Sequence, residues 1–548
     1  MKRFSRNILL LAALAGGGSP AQCETAASHF VPDPARACAL AERLLKYQDP
    51  EGRILLNLPS NPSVRLVPYF SNLAALGWTE AARVTTDISQ RTRFLDATER
   101  WLRWYAANLN PDGTIYDFEG PPRALKSKND YDSSDSYPAT FAMVAWRHRT
   151  ASGDTSLLRN LQPALTKAYG AILLTMDEDG LTYAKPLYPE KYLMDNLEVA
   201  AGLAAFTRCF TELGDATLVA DATAHREQIQ RSIPRYWRPS IGAFGYTIDP
   251  FGIVSGKLKV AYPDVLAQLM VLSWASNGDA PARQFLDRLQ RDFFDNNPDA
   301  RSAGQWWSWP AIVCADTELS TSALQAYVAA MQAPDPFAHD LGLAAATFAT
   351  GTDAIYFDEV RMPWEALTSD TASTQPAASQ PLTTFETKTA RLILTAHEAT
   401  AAIRDSPRPA LLMPMRLPAS IDMEFRKENA YVQANVVFAA TANLSQLHRI
   451  GFDIDIPPTT SPGALQINVC LVDTDGDLWD ARLDTITPER DGIRWINPEK
   501  TSLNKWGRNG DFQRSIAQTA GLRIQFNNIT TKPASYQVTL KGIHYDTK

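Results

Sequence analysis

The sequence lacks the motifs that usually carry metal, nucleotide or serine-hydrolase chemistry. Its 548 residues include only five cysteines and seven histidines, and no Cys-x-x-Cys pair occurs. There is also no His-Glu-x-x-His, no phosphate-binding loop, no Gly-x-Ser-x-Gly elbow and no glycine-rich dinucleotide fingerprint. We therefore expect a protein that holds no metal and needs no cofactor.

The chain also lacks a basic excess and, beyond its amino terminus, a long apolar run. Its 53 basic and 60 acidic residues give a net charge of −7, which argues against a nucleic-acid partner. No apolar run of about 18 residues follows the amino terminus, so we expect no membrane span. The composition, 45% hydrophobic and 21% charged, excludes wholesale disorder.

The first 21 residues have the layout of a bacterial-type secretory signal peptide. Basic Lys2, Arg3 and Arg6 precede the apolar stretch Ile8–Ala15, and the small residue Ala21 marks a cleavage site. The apolar stretch is too short to span a membrane. The pattern predicts a signal peptide over residues 1–21 and a periplasmic or secreted protein.

Glycine-centred turns recur along the first two-thirds of the chain. Their glycines are Gly52, Gly113, Gly180 and Gly242, at spacings of 61, 67 and 62 residues. Glycine adopts the positive φ of such turns without steric cost. Each turn follows an amphipathic helical pattern and precedes a more apolar one. The repeat therefore predicts an outer helix, a turn, a loop and a buried inner helix.

The repeat predicts eleven helices between residues 34 and 350. Outer helices are expected near 34–47, 92–109, 155–176, 215–237, 281–295 and 336–349, and inner helices near 69–83, 135–149, 195–213, 264–276 and 317–331. Alternating outer and inner helices form a solenoid or a closed ring. Six such pairs would make an (α/α)6 toroid, and the count is one helix short of it.

Acidic residues open the inner helices. Asp135, Asp195, Asp264 and Asp316 are 60, 69 and 52 residues apart. In a toroid all these helix starts would meet at one rim, where carboxyl groups distant in sequence would face one cavity. The alternative for each aspartate is a plain helix N-cap, because its side chain satisfies unpaired backbone N–H groups.

The predicted site combines these acids with nearby aromatic and basic residues. Paired carboxyl groups could supply the acid and the base of glycoside hydrolysis, and aromatic rings could stack on sugars. Core packing and solvated loop lysines are the alternatives. The predicted catalytic residues are Asp132, Asp135, Asp195 and Asp264, and the predicted substrate-binding residues are Tyr131, Tyr137, Lys191, Tyr192, Tyr262, Trp306, Trp307, Trp309 and Asp316.

On this repeat and these phased acids, residues 30–360 resemble the six-hairpin glycosidase superfamily. The resemblance implies an (α/α)6 toroid that hydrolyses glycosidic bonds with inversion. Inverting enzymes hold their two carboxyl groups roughly 6.5–9.5 Å apart, which leaves room for the attacking water.

The carboxyl-terminal third changes to a period of two. Residues 367–383 include the Ser/Thr/Pro-rich run TSDTASTQPAASQP, which predicts a flexible linker. Beyond it, 450–456, 465–472, 522–526 and 536–543 alternate as half-buried strands. Residues 384–548 therefore predict a jelly-roll-type β-sandwich. Through the strand-turn run LVDTDGDLW at 471–479, this part resembles a galactose-binding-like carbohydrate module.

Together these features predict a multidomain α then β protein, with a toroid over 30–366 followed by the sandwich. The leading hypothesis is an exported glycoside hydrolase that cleaves a polysaccharide or oligosaccharide. One alternative is a polysaccharide lyase, for which a tyrosine at an inner-helix start could act as the base, because no histidine occurs at the predicted starts. The other is a non-catalytic glycan-binding or export-assembly protein.

Overall fold

A computed structural model describes most of the chain. The described residues are 31–275, 280–294, 332, 335–350, 358–369, 380–381, 390–397, 399–404, 417–445, 447–455, 465–486, 492–498, 501–503, 511–530 and 532–547. The predicted signal peptide, most of the predicted linker, and Trp306, Trp307, Trp309 and Asp316 lie outside them. The predicted order of helices followed by strands is confirmed.

Helices with one exposed face alternate with buried helices in the amino-terminal region. Helices α2, α4, α6 and α8 below are buried over most of their surface, because small and apolar residues occupy every face. The helices are α1 Pro34–Leu44, α2 Pro68–Val84, α3 Ile88–Ala107, α4 Ser136–Ser152, α5 Ser156–Leu173, α6 Leu193–Leu213, α7 Ala216–Ser232, α8 Leu266–Trp274, α9 Ala280–Leu289, α10 Ala338–Thr350 and α11 Trp364–Leu367.

The prediction that 336–349 is an outer helix is wrong. Nearly every residue of α10 is buried, since the run DLGLAAATFA offers no polar face to solvent. Helix α10 crosses α2 where Gly77 and Gly342 meet, and the backbone N–H of Asp33, at the start of α1, donates to Phe348 O at 2.8 Å. The chain therefore returns to its first helices. The inner helix predicted near 317–331 lies outside the described residues.

We expect Gly77→Ala to destabilise the protein by about 1–3 kcal/mol, the usual cost of overpacking. A Cβ at Gly77 would lie 2.4 Å from the carbonyl oxygen of Gly342, so α2 and α10 would have to separate. Gly170→Ala on α5 is the matched control, because nothing lies within 4 Å of its added Cβ. Gly170→Ala should raise the free energy of unfolding by up to about 1 kcal/mol. Equal effects of both variants in urea unfolding would contradict the close α2–α10 crossing.

The repeated turns have the backbone that the sequence predicts. Gly52, Gly113, Gly180 and Gly242 have φ values of 91°, 84°, 84° and 57°. Short strands accompany the turns and the loops that follow them. They are β1 Val64–Leu66, β2 Phe118–Gly120, β3 Lys126–Ser127, β4 Lys191–Tyr192, β5 Trp237–Arg238, β6 Ala243–Phe244, β7 Thr247–Ile248 and β8 Val254–Ser255.

The carboxyl-terminal region consists mainly of strands, as predicted. The strands are β9 Gln380–Pro381, β10 Arg391–His397, β11 Ala399–Ile403, β12 Ala419–Phe425, β13 Tyr431–Asn443, β14 Leu447–Asp455, β15 Leu465–Asp473, β16 Leu478–Ile486, β17 Gly492–Ile496, β18 Ser502–Leu503, β19 Thr519–Asn528 and β20 Ala534–Thr547, and one short helix, α12, spans Phe512–Ala517. The larger sheet has the order β10-β13-β19-β15-β16-β18, with β9 beside β13. The smaller sheet has the order β11-β12-β20-β14-β17. Apolar side chains of both sheets form one core.

The strand region packs against the loops that lead into the inner helices. The Arg391 guanidinium on β10 donates to both carboxylate oxygens of Asp177, at 2.6 and 3.2 Å. The Ala396 N–H donates to Leu187 O at 2.9 Å, and Phe251 packs against Val472. These loops lie at the same end of the helical region as the inner-helix starts. None of the helices that the structure describes is long and apolar enough to cross a membrane.

Candidate active site

The starts of three inner helices meet at one point. The ring of Tyr69, near the start of α2, stacks on Tyr137 of α4 with centroids 6.1 Å apart. The Tyr69 hydroxyl donates to Glu198 of α6 at 2.5 Å. The Asn72 amide donates to Tyr137 O at 3.1 Å. Convergence of the helix starts, which the sequence predicted from their phasing, therefore holds for α2, α4 and α6.

Asp132 and Asp195 are acids that solvent reaches within this convergence. Asp132 is exposed, yet desolvation by the surrounding protein raises its pKa to about 7, against the lowering effect of Lys185. Asp195 is partly exposed. Its pKa lies well above the usual range because of burial and the charges of Asp135, Glu198 and Asp132. A carboxyl group that is accessible but poorly solvated is expected in a depression of the protein surface.

Glu198 is a third acid of this cluster, and the sequence reading missed it. It lies three residues after Asp195, so the two side chains share one face of α6. Glu198 is 2% exposed, and burial followed by the charge of Asp135 raises its pKa to about 8. The available signal was a lone acid inside the apolar run LEVAAGLAAF.

We expect Glu198→Gln to be more stable than the wild type at about pH 8.5, by on the order of 2 kcal/mol. The pKa of Glu198 is raised to about 8 in the folded protein. Glu198 therefore contributes its full stability below its pKa in the unfolded chain, about 4.3, and this contribution is lost as the pH rises through its pKa in the folded protein, about 8. Glutamine removes this loss and still accepts the bond from Tyr69. The difference between the variant and the wild type should shrink at pH 5.

Urea unfolding at the two pH values measures this difference. Glu212→Gln, on the same helix but in a partly exposed ion pair with Arg149, is the control and should show little change. A Glu198→Gln variant with the same pH dependence as the wild type would refute the raised pKa.

Asp135 and Asp264 have buried carboxyl groups that brace loops. Asp135 is fully buried as the N-cap of α4, and it accepts bonds from Ser133, Ser136 and Thr182. Burial raises its pKa to about 6 despite these donors. Asp264 accepts the backbone N–H of Lys259 at 2.9 Å and is 5% exposed. Asp135 therefore has the position and bonds of a helix N-cap, the alternative stated above. Asp264 accepts a hydrogen bond from the loop before α8.

Tyrosines surround the two accessible acids. Burial, followed by the charges of Asp132, Asp195 and Glu198, raises the pKa of Tyr262, which is partly exposed. Tyr192 is also partly exposed, and its ring stacks on that of Tyr188 at 6.4 Å.

Two other predicted tyrosines line the loop before α4. Tyr137 is 2% exposed and donates to Asp117 at 3.0 Å, so its side chain is buried and already has a hydrogen-bond partner. Tyr131 is partly exposed and stacks on Tyr116 at 6.0 Å. Of the pair, Tyr131 alone presents substantial surface to solvent.

Lys191 lies in a buried ion-pair network. Its ammonium donates to Asp177 and Asp179, each at 2.7 Å, and the side chain is 6% exposed. Desolvation lowers the pKa of Lys191 to about 8 although Asp177 raises it. The ammonium already has two carboxylate partners, and it links the loop before α6 to the Asp177–Arg391 contact.

The corrected position of α10 places a histidine at an inner-helix start. The His339 ring lies 4.4 Å from that of Phe70, the neighbour of Tyr69. Burial lowers the pKa of His339 to about 3, so its imidazole is neutral. The sequence analysis did not consider this histidine, because it predicted 336–349 as an outer helix. The described residues contain no group of three His, Cys, Asp or Glu side chains arranged to hold a metal ion.

Comparisons with known proteins give only distant likenesses. No protein-family model and no curated protein matches the chain. A solved structure described as a novel alpha-amylase from Clostridium perfringens has 11% identity and a TM-score of 0.40, covering 59% of this chain and 100% of that one. A wild-type glycosidase has 14% identity and a TM-score of 0.36, covering 59% and 98%.

A third likeness is shorter. It is the family 11 carbohydrate-binding module of a cellulosomal cellulase of Clostridium thermocellum, with 10% identity and a TM-score of 0.20, covering 29% of this chain and 88% of the module. Because these TM-scores are low, a function for this protein is argued from its own residues.

Proposed function

We propose that the protein is a glycoside hydrolase whose catalytic residues are Asp132 and Asp195. The observation that carries the proposal is a pair of solvent-accessible carboxyl groups with raised pKa values at converging inner-helix starts. Glycoside hydrolysis needs one protonated and one ionised carboxyl group on opposite sides of the scissile bond. Two acids with different pKa values in one depression meet this requirement.

Asp195 is the general acid in this proposal, and Asp132 is the general base. Burial, followed by the charges of Asp135, Glu198 and Asp132, raises the pKa of Asp195 well above its usual range, so Asp195 keeps its proton near neutral pH. The charge of Lys185 opposes the rise in the pKa of Asp132, so Asp132 ionises first. Asp195 would protonate the leaving oxygen while Asp132 activates a water molecule. This route gives the inverted product that the six-hairpin resemblance implies.

Glu198 and Tyr262 support these roles. Buried Glu198 acts as a positioning residue, since it accepts the hydrogen bond from the hydroxyl of Tyr69. Partly exposed Tyr262 and Tyr192 offer ring faces beside the acids for a sugar. The polar tip and apolar face of tyrosine suit a ligand that has both hydroxyl groups and C–H faces.

The finer architecture belongs to the same proposal. The packing of α10 on α1 and α2 supports a closed (α/α)6 toroid over 30–366. A shared core between two antiparallel sheets supports the jelly-roll-type sandwich. Export to the periplasm or beyond rests on the pattern of residues 1–21.

Product analysis tests the proposed function. The full chain is incubated with neutral and acidic polysaccharides, and new reducing ends, ultraviolet absorbance and the anomeric form of the product are recorded. New reducing ends without absorbance, in the inverted form, are expected. Absorbance from an unsaturated product would instead establish a lyase, and binding without any turnover would establish a glycan-binding protein.

We expect the pH profile of kcat/KM to have its optimum above pH 7. Asp132 must be ionised to act as a base, so activity should rise as the pH passes through about 7, the raised pKa of Asp132. Activity should fall at higher pH, when Asp195 loses its proton. An optimum near pH 4–5, where ordinary carboxyl groups titrate, would contradict the assigned roles.

A further inference from the structure

One face of the larger sheet carries two rows of uncharged polar side chains. Directly paired residues on antiparallel strands point to the same face, and the residues between them point to the core. On β10, β13, β19 and β15 the first row is Thr395, Gln433, Gln525 and Asn468, and the second is His397, Tyr431, Asn527 and Gln466. On β16 the first row continues to Arg482 and the second to Thr485. All eight side chains on the first four strands are at least partly exposed. We call these eight residues the amide face.

The amide face has the chemistry to bind a neutral polyhydroxylated ligand. Five of its side chains are carboxamides, each of which offers both donors and acceptors, and none is Asp, Glu, Lys or Arg. The amide of Gln433 donates to Gln525 at 2.7 Å, and that of Gln525 donates to Asn527 at 2.6 Å. The Tyr431 ring, stacked on His397 at 5.2 Å, adds an aromatic surface. Sugar hydroxyl groups and ring faces match this combination.

The amide face borders the helical region. The next row of the same face contains Ile393 and Arg523. Ile393 contacts Tyr183, and the guanidinium of Arg523 lies over the ring of Phe251, so both residues contact the helical region. The backbone bond from Ala396 to Leu187 fixes the loop 185–190 along the edge of β10. The two rows therefore continue from the contact between the regions.

Tyr188 connects the amide face with the catalytic acids. It lies one residue after Leu187, and its hydroxyl is 3.2 Å from that of Tyr192. The ammonium of Lys185, in the same loop as Tyr188, donates to the carbonyl oxygen of Tyr131, the neighbour of Asp132, at 2.7 Å. Leu187, also in this loop, accepts the N–H of Ala396, whose partner across the sheet is Val432, next to Tyr431. A path of partly exposed side chains thus leads from Asp132 through Tyr188 to Tyr431.

We propose that the amide face and Tyr188 form outer subsites of the catalytic cleft, which bind a neutral oligosaccharide chain that extends from Asp132 and Asp195 onto the larger sheet. This inference rests on the proposed hydrolase function. It assigns the strand region a direct part in binding the substrate, and it specifies a substrate that is uncharged and several sugars long. A short oligosaccharide would reach the acids without contacting the amide face.

The test compares Tyr431→Ala and Gln525→Ala with Gln537→Ala. Gln537 is a partly exposed glutamine on β20 of the smaller sheet, so its loss controls for the general effect of removing a strand glutamine. The kinetics are measured on oligosaccharides of increasing length from the neutral polysaccharide that the wild type cleaves. We expect kcat/KM to fall about 10-fold for the long substrates, mainly through KM, and by less than about 2-fold for the shortest one.

Binding is measured separately with the Asp195→Asn variant, with and without Tyr431→Ala. The probes are soluble starch, mixed-linkage β-glucan, xylan and galactomannan, with polygalacturonate as the charged comparison, in affinity electrophoresis. Tyr431→Ala should abolish retardation by one of the neutral polysaccharides. Equal losses of kcat/KM at every length, retardation unaffected by Tyr431→Ala, or no retardation by any neutral probe would overturn the inference. If retardation depends on Tyr431 but the wild type cleaves no polysaccharide, the hydrolase function is refuted and the binding of sugar by the amide face is not.

Discussion

Asp195→Asn and Asp132→Asn should each lower kcat by about 10²- to 10⁴-fold, the usual contribution of a general acid or base. Asparagine keeps the size of the side chain but neither donates a proton from a carboxyl group nor accepts one. Both carboxyl groups are at least partly exposed, and Asp132→Asn also removes a negative charge that acts on Asp195. The free energy of unfolding should therefore stay level or rise. Initial rates of reducing-end formation give the effect on kcat.

The matched control is Glu119→Gln, which removes an exposed carboxyl group from β2 at the same end of the helical region. Its kcat should remain within about 2-fold of the wild type. The pH profiles separate the two roles, because Asp132→Asn should lose the acidic limb and Asp195→Asn the alkaline limb. Wild-type rates in both aspartate variants would refute the site assignment.

Asp135→Asn offers a contrast between a catalytic and a structural acid. Asp135 is fully buried and accepts bonds from Ser133 and Thr182, so its replacement should lower stability. Its remaining activity per folded molecule should exceed that of Asp195→Asn. A larger loss of kcat in Asp135→Asn, with an intact fold, would move the catalytic role to Asp135.

Asp177→Asn should lower the free energy of unfolding by about 3 kcal/mol, the scale of breaking a buried ion pair. The Asp177 carboxylate is 2% exposed and accepts bonds from Lys191 at 2.7 Å and from Arg391 at 2.6 Å. Asparagine leaves the ammonium of Lys191 buried with only Asp179 as a partner. Because Arg391 belongs to β10, the loss should also weaken the contact between the helical and strand regions.

The effect should depend on pH in a defined direction. The charges of Lys191 and Arg391 hold the pKa of Asp177 below its usual range, although burial opposes them. The stabilising contribution of Asp177 is therefore present above the unfolded pKa of about 4 and is lost as the pH falls below it. Urea unfolding should show a large difference between Asp177→Asn and the wild type at pH 7 and a smaller one at pH 3.

A surface pair provides the control for the Asp177 prediction. Asp422 and Arg404 form an ion pair at 2.9 Å, with side chains 45% and 51% exposed. Asp422→Asn should change stability by less than about 1 kcal/mol, because solvent screens such a pair. Equal effects of Asp177→Asn and Asp422→Asn would show that the buried network contributes no more than a surface pair.

Local patterns in the sequence predicted much of the helical region. The glycine turns agree with the structure, and the predicted helices that lie in the described residues have bounds within one or two helical turns of those found. Both features depend on neighbours a few residues away in the sequence. The assignment of α10 as an outer helix failed because it followed the alternation of outer and inner helices and not the composition of the helix itself. Its own composition, DLGLAAATFA, indicates a buried helix.

The roles of individual acids could be predicted less well. Asp132 and Asp135 are aspartates three residues apart, yet one faces solvent and the other accepts hydrogen bonds from buried hydroxyl groups. Glu198 was missed because nothing in a single helix shows that its face meets Tyr69. The same limit applies to the amide face, whose rows form only when β10, β13, β19 and β15 align in register.

The sequence by itself determined the α then β order, the repeated turns and the set of acids near inner-helix starts. Each of these follows from residue type and spacing within one or two elements. Only the tertiary structure decided which acids reach solvent, which are neutralised by partners and which residues of the strand region adjoin Tyr188. Accessibility and electrostatic environment depend on atoms from segments tens to hundreds of residues apart, and their packing sets both the pKa of Asp195 and the path from Asp132 to Tyr431.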